Sequence, residues 1–239
     1  MARYKSTYRL VIQARMGSLR FPGKVLANFY GQPMLAQQIQ LLKNAGFQKI
    51  TVATSNEKTD NKILDLCKSL NIDCYQGDEA NVFSRYFEIA KHSPEENLIR
   101  LTGDNPIISH PLLNQVIQEF ESNHAEFAST RIVENMTVHR FIPKGWSIDI
   151  FSKMAIHKVA KFDLSPFDKE HVIPAFYNPQ ISVHIVKTFK KLNLISCSVD
   201  TIEELQSLEQ NINSAGGLKE FVNKMNNIIS NYLKDLSNG

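Results

Sequence analysis

The stretch Leu10-Val11-Ile12-Gln13-Ala14-Arg15-Met16-Gly17-Ser18-Leu19-Arg20-Phe21-Pro22-Gly23-Lys24 constrains this chain more than any other. Its apolar opening reads as a buried strand. Gly-Ser and Pro-Gly are turn signals, and Pro33 suits the first turn of a following helix. A strand that runs through a cationic, glycine-bearing loop into a helix is built to hold phosphate. Glycines let backbone N–H groups approach the oxygens, and Arg15, Arg20 and Lys24 neutralise them. Two named phosphate loops are excluded by spacing. Five residues separate Gly17 from Gly23, and Lys24 is followed by Val25, so the Walker A pattern fails; G-x-G-x-x-G is absent.

Downstream, helical and strand-like segments alternate. Residues 33 to 46 carry apolar side chains at helical spacing, and Gly46 can end that helix. Ile50–Thr54 is β-rich. Asp60 reads as the cap of a helix bearing Ile63, Leu64, Cys67 and Leu70. Ile72–Tyr75, Leu98–Leu101, Phe127–Thr130, Ser147–Ile150, Ile181–Val186 and Leu194–Val199 read as strands. Residues 80–91, a segment from Pro111, a segment capped by Ser152, Pro166–Tyr177, a segment opened by Asp200-Thr201, and 218–236 read as helical. Residues 131–146 show no clear period and suggest an arm or hairpin. Alternation of this kind implies βαβ units, a mostly parallel sheet and a ligand beyond the carboxyl ends of its strands. The 10–24 loop and Asp104 belong on that edge.

Composition then narrows the function. With 239 residues and a net charge of +3, the chain can bury a sizeable core but lacks the basic excess of a nucleic-acid or membrane-surface binder. Cys67, Cys74 and Cys197 form no metal spacing. They read as reduced and mostly buried, which points to the cytoplasm. The start of the sequence reads as neither a signal peptide nor a membrane span. Lys5 and Arg9 read as solvated charges.

Asp104, in Thr102-Gly103-Asp104-Asn105-Pro106, follows an apolar strand, and Asp200 follows Ser196-Cys197-Ser198-Val199. Two carboxylates at strand ends, facing a cationic loop, make sense around Mg²⁺, which takes carboxylates together with substrate phosphates. Asp200 reads equally as a plain helix cap before Thr201-Ile202-Glu203-Glu204.

Gln13–Ser18 with Arg20, Pro22, Gly23 and Lys24 resembles the opening motif of the cytidylyltransferase family. The branch is the one named for spore coat polysaccharide biosynthesis, related to CMP-KDO synthetase and CMP-acylneuraminate synthetase. Val52–Ser55, Asn81–Tyr86, Arg100–Pro106 and Val199–Leu205 fit in order, and Glu170-His171-Val172 fits more weakly. The resemblance spans roughly residues 8 to 210. It implies a Rossmann-like nucleotide-diphospho-sugar transferase fold, CTP as donor, Mg²⁺ as cofactor and a homodimer. By position, Arg15, Arg20 and Lys24 would hold the triphosphate, and Asp104 and Asp200 the Mg²⁺. Gln13, Ala14, Gly17, Ser18, Arg85, Arg100 and Thr102 would complete the nucleotide site, with Arg15, Lys24 and Asp104 catalytic. One nucleotidyltransferase domain would cover residues 1–239, with 125–180 shaping the acceptor pocket or a dimer contact.

The acceptor implied by the relatives is a 2-keto-3-deoxy sugar acid or a related surface-glycan precursor. Arg131, His139, Arg140, Lys144 and His171 are candidate cations for its carboxylate, and Asp149 a candidate partner for its hydroxyls. Trp146 is either core or a sugar-stacking platform. Two alternatives stay open. One is a nucleotidyltransferase for a phosphorylated acceptor, which would need a second cationic cluster. The other is a non-catalytic nucleotide-binding subunit, which would lack Lys24, Asp104 or Asp200.

Overall fold

A computed structural model describes residues 7–134 and 137–238. Lys5, read above as solvated, and two residues of the 131–146 arm lie outside the described residues. β1 (Tyr8–Gln13), β4 (Ile50–Ser55), β5 (Asp73–Gly77) and β6 (Asn97–Thr102) pair in parallel. β10 (Asp149–Ser152) runs antiparallel between β6 and β7 (Phe127–Ser129), and β11 (Val183–Ile185) lies parallel to β7. The seven-stranded order is β11-β7-β10-β6-β1-β4-β5. Two small hairpins stand apart from this sheet: β2 (Asn28–Phe29) with β3 (Gln32–Pro33), and β8 (Arg131–Glu134) with β9 (Thr137–Arg140). The second is the arm expected between residues 131 and 146.

Both faces of the sheet are covered, so its central strands are apolar on both sides. Leu10 and Ile12 of β1 and Ile99 and Leu101 of β6 enter one core. That core is closed by α1 (Met34–Asn44), α4 (His110–Ser122), α7 (Ile202–Ser214) and α8 (Leu218–Asn238). Val11 and Leu98 face the other way, into a second core with Phe127, Phe151 and Phe176. Phe127 and Phe151 stack there with ring centroids 5.2 Å apart. α3 (Val82–His92) and α5 (Lys153–Val159) close that side. α2 (Asn61–Ser69) packs beside β5, and α6 (Pro166–His171) against α3.

Several expectations change here. Arg9 is not solvated. It lies buried in β1, where its guanidinium reaches Glu95 and Asp73 at 2.8 Å each and the Thr51 hydroxyl at 2.8 Å. A charge on a buried strand is retained only when paired in this way. Asp60 stands before α2, but its carboxylate caps no N–H group of that helix. Residues 194–199 form no strand and join no sheet. Cys67 and Cys197 are buried, Cys74 is half-buried, and all three thiols are free. No described helix is long and apolar enough to cross a membrane.

Candidate active site

β1 hands the chain to the cationic loop at the edge where the parallel strands end. Ala14 N–H donates to Ala53 O at 3.1 Å, and the loop then leaves the sheet. It folds about one residue: Met16 O accepts from Ser18 N at 3.0 Å and from Gly23 N at 2.9 Å. Gly23 closes this turn at φ 73°, a left-handed conformation that glycine adopts without a Cβ penalty. A 3₁₀ turn, Lys24–Leu26, follows and fixes the base of the lysine.

The loop forms one wall of a cleft of about 570 Å³. All ten residues expected to contact the nucleotide line it: Gln13, Ala14, Arg15, Gly17, Ser18, Arg20, Lys24, Arg85, Arg100 and Thr102. Asp104, Asp200 and His171 line it too, whereas Arg140 and Asp149 do not. The sequence reading missed Leu19, Val25, Val82, Gly103 and Glu170 as wall residues. Leu19, Val82, Gly103 and Glu170 lie inside stretches already singled out, so for these only orientation was illegible.

At the mouth of this cleft four segments bring charges together. Lys24 Nζ lies 3.0 Å from Asp104 Oδ2 and 2.7 Å from Asp200 Oδ1. Lys144 Nζ reaches Asp200 Oδ2 at 2.7 Å and Glu204 at 3.3 Å, and Arg20 reaches Asp200 Oδ2 at 2.9 Å. Burial opposes ionisation of Asp200, but the hydrogen bonds and charges of Lys144 and Lys24 outweigh it and hold the carboxyl well below the usual range. Arg15 stands more openly, 3.5 Å from Glu79.

The two aspartates are coupled through backbone as well. Val199 N–H donates to Asp104 O at 2.8 Å. Thr201, rather than Asp200, caps α7, in a capping box with Glu204. The Asp200 carboxylate is thereby left to face the cleft. Gly145, at φ 95°, presses against the same segment: a Cβ there would sit 2.4 Å from Ser198 N. Cys197 N–H donates to Lys144 O at 3.1 Å, which sets Lys144 beside Asp200.

Deeper in the cleft, Arg100 donates to Gln13 Oε1 at 3.1 Å and to Asp149 Oδ2 at 2.9 Å. Asp149 faces Arg100 across the β6–β10 ladder. It also accepts from Arg131 at 2.8 Å and from the Ser129 hydroxyl at 2.7 Å. Burial works against its charge, but the two arginines and Ser129 prevail and depress its pKa. Asp149, expected to meet the acceptor's hydroxyls, is therefore no wall of the cleft; it is a buried anchor for Arg100 and Arg131. Tyr86, buried against this group, has its hydroxyl pushed up to about 12, chiefly by burial. Arg85 is 1% exposed and donates to the carbonyls of Asp78 and Glu79 at 2.9 and 2.8 Å. Among the described residues it has no carboxylate partner.

The remaining acceptor candidates separate. Glu170 and His171 line the cleft at the end of α6, where the His171 ring lies 4.3 Å from that of Phe167. The next residue, Val172, holds φ 66°, a strained conformation for a β-branched side chain. His139 and Arg140 are exposed on β9. Trp146 is core: it is 3% exposed, and its indole N–H donates to Ile195 O at 2.7 Å, so no stacking face is offered.

The cationic loop and the two aspartates thus meet at the carboxyl edge of a mostly parallel sheet, where open α/β folds bind their ligands. Residues 10–220 match the cytidylyltransferase family, and the chain belongs to that family as a CTP-dependent nucleotidyltransferase. It is 30% identical over 201 residues to an uncharacterized protein of Methanocaldococcus jannaschii, covering 82% of this chain and 79% of that one. It is 25% identical over 211 residues to the spore coat polysaccharide biosynthesis protein SpsF of Bacillus subtilis, covering 86% of each. It is 24% identical over 210 residues to the 3-deoxy-manno-octulosonate cytidylyltransferase of Chlamydia abortus, covering 84% of this chain and 78% of that one. A solved cytidylyltransferase from Leptospira borgpetersenii superposes with a TM-score of 0.79 at 26% identity, covering 97% of this chain and 95% of that one. A CMP:2-keto-3-deoxy-manno-octonic acid synthetase complexed with CTP shares the fold, with a TM-score of 0.60 at 17% identity over 87% of this chain and 99% of that one.

Proposed function

We propose that this enzyme transfers CMP from CTP to a hydroxyl of a sugar acid of the 2-keto-3-deoxy type, or of a related surface-glycan precursor, with release of pyrophosphate. The observation that carries the reading is Lys24 held between Asp104 and Asp200 at the mouth of a cleft walled by Arg15, Arg20, Arg85 and Arg100. A site with this many cations suits a triphosphate, and the relatives' printed activities and the CTP-bound neighbour supply the base.

The donor set fits Mg²⁺. Asp104 and Asp200 supply hard oxygens on either side of a position already held by a cation, the Lys24 ammonium. Two carboxylates completed by substrate phosphates are the usual protein share of a Mg²⁺ site. When bound there, Mg²⁺ supplies Lewis-acid polarisation of the phosphoryl oxygens.

The rest of the work falls to the chain. The Gly17 amide, with Arg15 and Arg20, orients the triphosphate. The acceptor hydroxyl oxygen attacks the α-phosphorus in line and gives up its proton to water; its bond to phosphorus forms as the bond from the α-phosphorus to the α–β bridging oxygen breaks, and pyrophosphate departs with that oxygen. Lys24 and Arg15 offset charge that builds on the leaving pyrophosphate. Arg100, fixed by Asp149 and Gln13, and Arg85 present positive charge deeper in the cleft. His171 faces the acceptor across it. Residues 125–180, with the β8–β9 hairpin and Arg140, form the acceptor-side subregion and the contact of a homodimer, and the enzyme works in the cytoplasm on small molecules rather than nucleic acid.

Pyrophosphate release tests this directly. Each of the four NTPs is offered with Mg²⁺ against a panel of 2-keto-3-deoxy sugar acids and sugar phosphates. Release with CTP and a keto-acid is expected. Release only with a phosphorylated acceptor would replace the acceptor class.

A further inference from the structure

Asp60 is buried, lies outside the cleft wall and caps no helix, yet its carboxylate accepts four hydrogen bonds. Oδ2 takes the Thr54 hydroxyl at 2.9 Å, the Ser55 hydroxyl at 2.6 Å and the Ser55 N–H at 3.1 Å. Oδ1 takes a single donor, the Met16 N–H, at 2.7 Å. One oxygen is thus fastened to the end of β4, and the other reaches into the phosphate loop.

The residue it reaches is the node of that loop. Met16 O receives both Ser18 N–H and Gly23 N–H, so the peptides around Met16 close the loop on itself. The sheet releases the loop at Ala14. Arg15 lies between the two fixed points, Ala14 and Met16, and its side chain is thrown into the cleft.

We infer that Asp60 is a positioning residue for the nucleotide: by holding the Met16 amide it fixes, before CTP arrives, the loop that aims Arg15 and the Gly17 amide at the triphosphate. This rests on the proposed CTP site. The demand on the side chain is specific. Four donors require two oxygen acceptors, and asparagine offers one, so Asp60→Asn must orphan either Met16 N–H or the Ser55 groups. Misplacing catalytic contacts by about 1 Å costs up to ~10²-fold.

The experiment compares two variants by CTP titration calorimetry and thermal melting, with hydrogen exchange on the wild type. Asp60→Asn is expected to weaken CTP binding by about tenfold or more. Thr54→Val removes one bond to the same carboxylate but leaves Met16 held. It is expected to lower Tm while keeping CTP affinity within about twofold, since that change touches stability alone. The Met16 amide is expected to be protected from exchange in the CTP-free wild type, a readout that stands even if Asp60→Asn does not fold. Unchanged CTP affinity in folded Asp60→Asn, an equal loss in Thr54→Val, or an unprotected Met16 amide would overturn the inference. Absence of CTP binding by the wild type would instead strike the proposed function, and the exchange result would still decide whether the loop is held.

Discussion

Lys24 Nζ and Asp200 Oδ1, 176 residues apart in the chain, meet at 2.7 Å. The lysine leaves a tight turn after β1, and the aspartate precedes a helix capped by its neighbour Thr201. Neither side chain is needed to build the element that carries it. Their meeting, with Asp104 at 3.0 Å on the other side, is therefore a property of the site rather than of the scaffold.

Removing these charges should strike turnover more than folding. Lys24→Ala and Asp104→Asn are each expected to lower kcat by about 10²-fold or more, the scale of losing one preorganised electrostatic group. Steady-state pyrophosphate release, with circular dichroism to confirm folding, checks this. Near-normal turnover in folded Asp104→Asn would remove Asp104 from the site.

Asp149 should behave oppositely, as a structural charge. Asp149→Asn leaves Arg100 and Arg131 sharing a neutral amide in a buried setting, and is expected to cost about 3–5 kcal/mol at neutral pH. The sign with pH follows from the depressed folded pKa. The stabilisation is fully present above the unfolded value of about 4 and is lost as pH falls through the lower folded value. Melting curves should show a constant gap between wild type and variant from about pH 5 to 8, narrowing only in stronger acid.

Trp146→Phe separates core from sugar platform. Loss of the bond to Ile195 O should cost about 1–2 kcal/mol of stability, with no change in KM for the acceptor. An acceptor KM that rises while Tm holds would restore the stacking role.

Gly145→Ala tests how Lys144 and Asp200 are brought together. The new methyl would sit on Ser198 N and Cys197 backbone atoms, at a left-handed φ. A cost of about 2–4 kcal/mol is expected from overpacking and backbone strain, read by chemical denaturation.

Much of the loop side of the site was legible because its signal is local. Glycines, proline and cations from Gly17 to Lys24 specify a turn and a charge together, and Asp104 lies in an equally compact turn. What failed were roles fixed by distant partners. Arg9 looked solvated because Glu95 and Asp73, which neutralise it, are far off in sequence. Asp60 looked like a helix cap because its neighbours favour one, whereas Met16 and Ser55 take its oxygens. The apolar run before Asp200 has a strand's composition, but its bonds to the Asp104 and Lys144 carbonyls do not make a ladder. Asp149 and Trp146 carry polar atoms whose burial is decided by β6 and by residue 195, which no local pattern announces.

The most direct test of the account is CTP binding by calorimetry with and without Mg²⁺, in the wild type and in Asp104→Asn and Asp200→Asn. The wild type should bind CTP more tightly with Mg²⁺, and both variants should lose that gain while still binding CTP in its absence. Variants that keep the full Mg²⁺-dependent gain would contradict the assignment of Asp104 and Asp200 as the place where metal and triphosphate meet.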